Sequence, residues 1–195
     1  AAILRKSGYR LKVVVPSQMA YTRLTSRYIE QNPEESKLHQ VFINIGYEHV
    51  SVHLFQGSKF KASKTIDFGC RDLDMAIADL KGVDRHVAST YKQTNFEGVL
   101  DSPECESVYD RLCFEINKVI NFYNFSNEDD VERMCLLGGG VEIPQLMDVV
   151  MRSFPIPLKT AADIMPTEMR EASKVNSYAL AIASMLEGEA KLRGA

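Results

Sequence analysis

The sequence predicts an α/β fold built on a mixed five-stranded sheet with helices on both faces. Three observations predict it. Residues 39–45, 50–55 and 60–68 read as strands in close succession, and connections this short make antiparallel hairpins. From Cys70 onward the apolar spacing lengthens from two to three and four, the period of helices. Two more short strands, 133–137 and 156–159, then alternate with helices, which places helices over the faces of a mixed sheet.

Each element has a local reason. Residues 11–15 (LKVVV) are a β-branched run stopped by Pro16, and Ser17 can cap a helix carrying Met19, Ala20, Leu24 and Ile29. Residues 31–36 are polar and read as a loop. In the second strand Val50, Val52 and Leu54 share one face. His49 and His53 share the other and read as solvent-facing or hydrogen-bonded groups rather than ligands. Leu73, Met75, Ala76, Ile77 and Leu80 fit a helix ended by Gly82, with Asp72 and Asp74 as amino-terminal charges favoured by its dipole. A second helix starts at Asp84. Ser102 and Pro103 open a long amphipathic helix through Val108, Leu112, Ile116, Val119, Ile120 and Tyr123. A strand over 133–137 then runs into three glycines. A helix over 143–154 has Pro144 in its first turn, and a last helix covers 173–192. Glu128, Asp129, Asp130 and Glu132 read as a solvated acidic loop.

The totals bound the function. A chain of 195 residues, 45% hydrophobic and 25% charged, can bury a real core in one domain. A net charge of -3 and the lack of a basic block argue against nucleic acid as a partner. Cys70, Cys105, Cys113 and Cys135 form no C-x-x-C pair and complete no zinc spacing with the four histidines, so they read as buried thiols of a reducing cytoplasm. No apolar run approaches the ~20 residues that span a bilayer. The start, AAILRKSGYR, lacks the apolar core of a signal peptide and an initiator Met, so a fragment or processed chain is expected.

Two stretches carry chemistry. Leu136-Leu-Gly138-Gly139-Gly140 sits where a strand ends and a helix begins, the place where open α/β sheets bind ligands. Glycines there let a ligand approach bare backbone, and amides near a helix start favour anions. A ligand-free strand-to-helix turn is the other reading. Asn44-Ile-Gly46-Tyr47 ends the first strand and is either a phosphate cradle or a plain hairpin. Neither stretch is a Walker loop or a G-x-G-x-x-G element.

Together these stretches resemble the second half of an actin-like ATPase, on the ribonuclease H-like core, with the PilM type of type IV pilus assembly most similar and FtsA more distant. In that pattern a D-x-G hairpin touches the phosphates, and a Gly-x-x-(Leu/Ile)-Thr segment and an Ala-Glu-x-x-Lys helix follow. A glycine segment with P-x-L then holds the adenosine. Here Gly69-Cys-Arg-Asp-Leu73 and Ala88-Ser-Thr-Tyr-Lys92 stand in the middle places, and Gly138 to Gly140 with Ile143-Pro-Gln-Leu146 match the last. Asn176-Ser-Tyr-Ala-Leu-Ala-Ile-Ala183 resembles the closing helix of PilM. The resemblance covers most of 7–188 and implies a division into 1–35 (first strand and connecting helix), 36–172 (the second actin-like domain) and 173–195 (closing helix). It implies Asn44, Gly46, Tyr47, Gly69, Lys92, Gly138, Gly139, Gly140 and Ile143 as nucleotide-site positions, with ATP and Mg²⁺ as the cofactor or its loss as the alternative.

The departures from the pattern bear on activity. The phosphate-site Asp is Asn44, which removes a charge that metal chemistry needs. Tyr47 and Glu48 bring bulk and negative charge to the same turn, and Ser89 replaces the Glu after Ala88. The resemblance therefore implies a scaffold that is non-catalytic or weakly nucleotide-binding. It would be cytoplasmic and peripheral to the inner membrane, in a type IV pilus or secretion platform, bound to the cytoplasmic segment of a bitopic, PilN-like membrane protein. The alternative is an active ATPase of the FtsA or heat-shock type. FtsA would also be expected to end in an amphipathic membrane helix, for which residues 187–195 are short and polar. Residues 11–15, lacking a first-domain sheet, are expected to be disordered, to fold back, or to pair with a second copy in a homodimer.

Overall fold

The structure, a computed structural model, describes residues 2–11, 14–127, 129–170 and 174–186. In chain order the elements are α1 (Ala2–Lys6), α2 (Ser17–Gln31), β1 (His39–Ile45), β2 (Val50–Gln56), β3 (Lys59–Ile66), α3 (Cys70–Lys81), α4 (Arg85–Thr94) and α5 (Pro103–Asn127). They continue with β4 (Arg133–Leu137), α6 (Pro144–Ser153), β5 (Leu158–Thr160), α7 (Ala161–Ile164), α8 (Thr167–Arg170) and α9 (Val175–Met185).

The five strands form one mixed sheet in the order β3-β2-β1-β4-β5. The first three are antiparallel neighbours, joined by the short turns the sequence predicts. β4 and β5 add in parallel after helical crossovers. Alternation along β1 divides the core. Val41, Ile43 and Ile45 pack with Val50, Val52 and Leu54 under α3, α5 and α6. Phe42 and Phe55 pack on the other face with Tyr21, Leu24, Ala179 and Ala183 of α2 and α9. β4 is buried at every position because it lies between β1 and β5 with helices on both sides.

Local chemistry sets the boundaries. Gly82 takes the left-handed conformation (φ 62°) that ends α3. The Asp84 side chain accepts the His86 and Val87 amides and starts α4. Ser102 Oγ accepts the Cys105 amide at the start of α5. At the amino ends of β1 and β4, Arg133 is buried, pairs with Glu35, donates to Gln40 Oε1 (2.7 Å) and lies over the Tyr28 ring. This network ties the end of α2 to the sheet.

Several expectations need correction. Leu11, Val14 and Val15 belong to no strand, and Lys12 and Val13 lie outside the described residues. A β-branched run becomes a strand only beside a partner edge, and none of its described residues pairs with one. Ser17 is the first residue of α2, not its cap; Pro16 holds the cap position and no side chain caps there. β5 falls at Leu158–Thr160, later than predicted, and α7 and α8 occupy a stretch in which no element was predicted. α9 ends at Met185, and the rest of the predicted closing helix and tail, 187–195, lies outside the described residues. His49 precedes β2 and is exposed. His53 is buried, its ring 4.7 Å from Tyr21. Glu128 lies outside the described residues.

Candidate functional site

The parallel pairing of β1 and β4, with Asn44 opposite Leu137, brings both glycine-bearing stretches out of the sheet side by side. Gly138 shows how close they come. A Cβ there would lie 2.3 Å from Asn44 Oδ1 and 2.5 Å from the Ile45 carbonyl oxygen, and its φ of +90° suits glycine alone. Gly140 abuts Ile45 from the next turn, and a Cβ on it would also lie 3.2 Å from Cys70 Sγ. Gly69 presses on the β1–β2 turn, where a Cβ would lie 2.5 Å from the Tyr47 carbonyl oxygen. Asn44, Gly46, Gly69, Gly138 and Gly140 are thus gathered at one end of the sheet.

Gly139 differs. It is exposed, and a Cβ on it would meet nothing within 4 Å. Packing within the chain accounts for its two neighbours and leaves this one open. Ile143 closes the turn by donating its amide to the Gly140 carbonyl (3.1 Å) and ranks among the buried core residues.

The amino terminus of α3 points at the β1–β2 turn, where a phosphate would be cradled. Its amides are already committed. Cys70 N–H donates to the Gly46 carbonyl (3.0 Å) and Arg71 N–H to the Tyr47 carbonyl (2.8 Å). Gly69 N–H donates to the Asp72 carboxylate (2.9 Å), so Asp72 acts as the predicted amino-terminal charge.

Asp74 does something else. It is fully buried, and its carboxylate lies 2.6 Å from the Lys92 ammonium, which also donates to the Cys70 carbonyl (3.3 Å). The same ammonium sits 5.5 Å from the centre of the Tyr47 ring. Partial desolvation, then a hydrogen bond to Asp74 and the Asp74 charge, push the Tyr47 phenol above its ordinary value. Sequence spacing held the signal for Asp74: it lies three residues before Ile77 and next to Leu73, on the inward face of α3. A charge there needs a partner, and Lys92 supplies it.

Two more residues join the site without a prior assignment. Burial raises the pKa of the Tyr21 phenol, and the neighbouring Asn44 partly offsets that rise. Asn176 in α9 accepts the Gly138 amide on its backbone carbonyl (2.9 Å) and the Ala161 amide on its side chain (3.1 Å), locking both parallel strand ends to α9. Cys70, although at a helix start beside Lys92, is no activated thiol: burial pushes its pKa up despite the cation. All four cysteines are free and buried.

These groups do not suit a metal-bridged polyphosphate. Asn44 offers a neutral amide where such a site needs a carboxylate, the α3 amides face carbonyls, and Lys92 is neutralised by Asp74. Among the described residues no group of three His, Cys, Asp or Glu side chains could hold a metal ion. At Gly139 the backbone is left open to the approach of a ligand. A cavity of about 730 Å³ lies elsewhere, between β3 and α5.

No protein-family model matches the chain, and no curated protein does. Solved structures do. A PilM–PilN type IV pilus biogenesis complex matches at 21% identity over 92% of this chain and 54% of that one, TM-score 0.72. The ethanolamine utilization protein EutJ from Carboxydothermus hydrogenoformans matches at 13% identity over 95% and 58%, TM-score 0.68. An archaeal actin homologue matches at 16% identity over 83% and 52%, TM-score 0.56, and matches again in its complex with ADP. The fold is actin-like. At these identities the likeness is one of fold, and the chain spans little more than half the length of each match. No helix among the described residues is long and apolar enough to cross a membrane.

Proposed function

We propose that this actin-like chain serves as a scaffold in a type IV pilus or related secretion platform. It would hold the cytoplasmic segment of a bitopic membrane protein, with any nucleotide a bound ligand rather than a substrate that is turned over. The observation that carries the non-catalytic part is the commitment of the Cys70 and Arg71 amides to the Gly46 and Tyr47 carbonyls. A phosphate at this turn would have to break both bonds and face Tyr47 and Glu48. Phosphoryl transfer draws its rate from positioned metal and cationic groups. Here the carboxylate is Asn44 and the nearest ammonium is held by Asp74. The open surface at Gly139 supports retention of the nucleoside side.

The pilus setting rests on likeness in fold to a chain solved in a PilM–PilN complex, together with the sequence motifs of the closing helix. An inner-membrane location follows from the membrane partner. The test is phosphate release from ATP with Mg²⁺, beside co-purification with a PilN-like membrane protein. The proposal expects release at the protein-free rate and a stable complex. Turnover well above that rate would favour the active ATPase, and failure to co-purify would remove the pilus role.

A further inference from the structure

β3 is an edge strand: it pairs with β2 and leaves its other backbone edge unpaired among the described residues. Beside it, α5 stands off from the sheet and leaves the groove of about 730 Å³. Leu54, Ile66 and Phe68 form its apolar floor, and Val119 and Phe122 of α5 line the facing wall. Phe114, Phe122 and Phe125 are 61%, 73% and 88% exposed and, with Lys118, lie along one face of α5 by the spacing 4, 4, 3. Exposed aromatics in such a row mark a contact surface.

Charge identifies the occupant. The groove edge carries Lys64 from β3 and Arg111 from α5, and β3 also bears Lys59 and Lys61. Of the two carboxylates that line the groove, Glu115 is answered by Lys118 (3.0 Å) and Asp67 by Arg71 (3.9 Å), and Arg111 packs over Phe68 (4.9 Å) with no carboxylate partner among the described residues. None of Lys59, Lys61 and Lys64 is in an ion pair there either. The edge is therefore cationic on a chain of net charge -3. A second copy does not fit, because pairing two β3 edges sets lysines against lysines.

We infer that the β3–α5 groove takes an extended segment of a partner protein as a sixth strand, its alternate residues apolar and the others Asp or Glu. Backbone pairing with β3 supplies affinity. The apolar side chains enter between Ile66 and Phe122, and the carboxylates meet Lys64 and Arg111. None of Asn44, Gly46, Gly69 and Gly138 to Gly140 lines the groove, so the inference holds with or without a nucleotide.

The test selects binders from a random eight-residue peptide library displayed on phage, using the full chain and, in parallel, a Lys64→Glu/Arg111→Glu variant. The chain should enrich peptides alternating apolar and acidic residues, and these should shift the backbone amides of β3. The variant should bind them at least about tenfold more weakly and enrich basic peptides instead. A substitution that only loosened the fold would weaken binding without inverting the preference, and an unchanged melting midpoint excludes it. The inference is overturned if no peptide rises above background, if selected peptides ignore the charge reversal, or if they shift amides elsewhere.

Discussion

Asp74 and Lys92 are the residues on which the reading of the glycine-bearing end turns. Their pairing places two charges out of water, and the pair holds only while both members are present. Lys92→Met should cost about 3–5 kcal/mol, because an unpaired carboxylate is left buried. The double variant Asp74→Leu/Lys92→Met should recover most of that, as read from urea unfolding midpoints. If Lys92→Met alone is neutral, the lysine is free for a ligand. The glycines divide the same way. Gly138→Ala should lose at least about 1–3 kcal/mol, through its φ and its contact with Asn44. Gly139→Ala should stay within about 0.5 kcal/mol, since nothing packs there. The sequence presented both as members of one glycine run, and the contact with Asn44 that separates them arises only once β1 and β4 pair.

At the scale of elements, the strands and helices with their own signals stand where the sequence put them. β1 is His39–Ile45, α3 stops at Gly82 and α5 starts after Ser102, each set by side chains within a few residues. The failures are elements decided at a distance. Residues 11–15 have β-forming side chains and, over the described part, no neighbouring edge. α7 is a short turn packed beside α9, and α8 follows against α7. His53 belongs to this scale too. Alternation put it opposite Val52 and Leu54, but α2 covers that face, so burial leaves the ring neutral and lowers its pKa. The unfolded chain then binds a proton that the folded chain refuses. Stability is fully present above about pH 6.5 and falls as the pH drops toward the depressed value. Glu35 adds a second loss at lower pH. Burial opposes its ionisation, yet Arg133 and Lys159 outweigh that and hold the carboxyl below its ordinary value. Its stabilisation is lost as pH falls below the ordinary carboxylate range. Comparing urea midpoints at pH 7 and pH 5, His53→Phe should lose much less stability on acidification than the parent chain. Equal slopes would mean that water reaches the imidazole.

For the whole molecule, an actin-like fold was legible because its strand order is written in hairpin lengths and period changes. The convergence of Asn44, Gly69 and Gly138 followed from that order. What the sequence left open was whether the gathered groups face a ligand or one another. On the phosphate side they face one another: helix amides meet hairpin carbonyls, and an ammonium meets a buried carboxylate. The backbone amide signals of Cys70 and Arg71, followed by nuclear magnetic resonance during a titration with ATP and Mg²⁺, report on this most directly. These signals should keep their positions at millimolar nucleotide, while any response centres on Gly139. Saturable shifts at Cys70 and Arg71 would show that the hairpin yields to a phosphate, and would contradict that expectation.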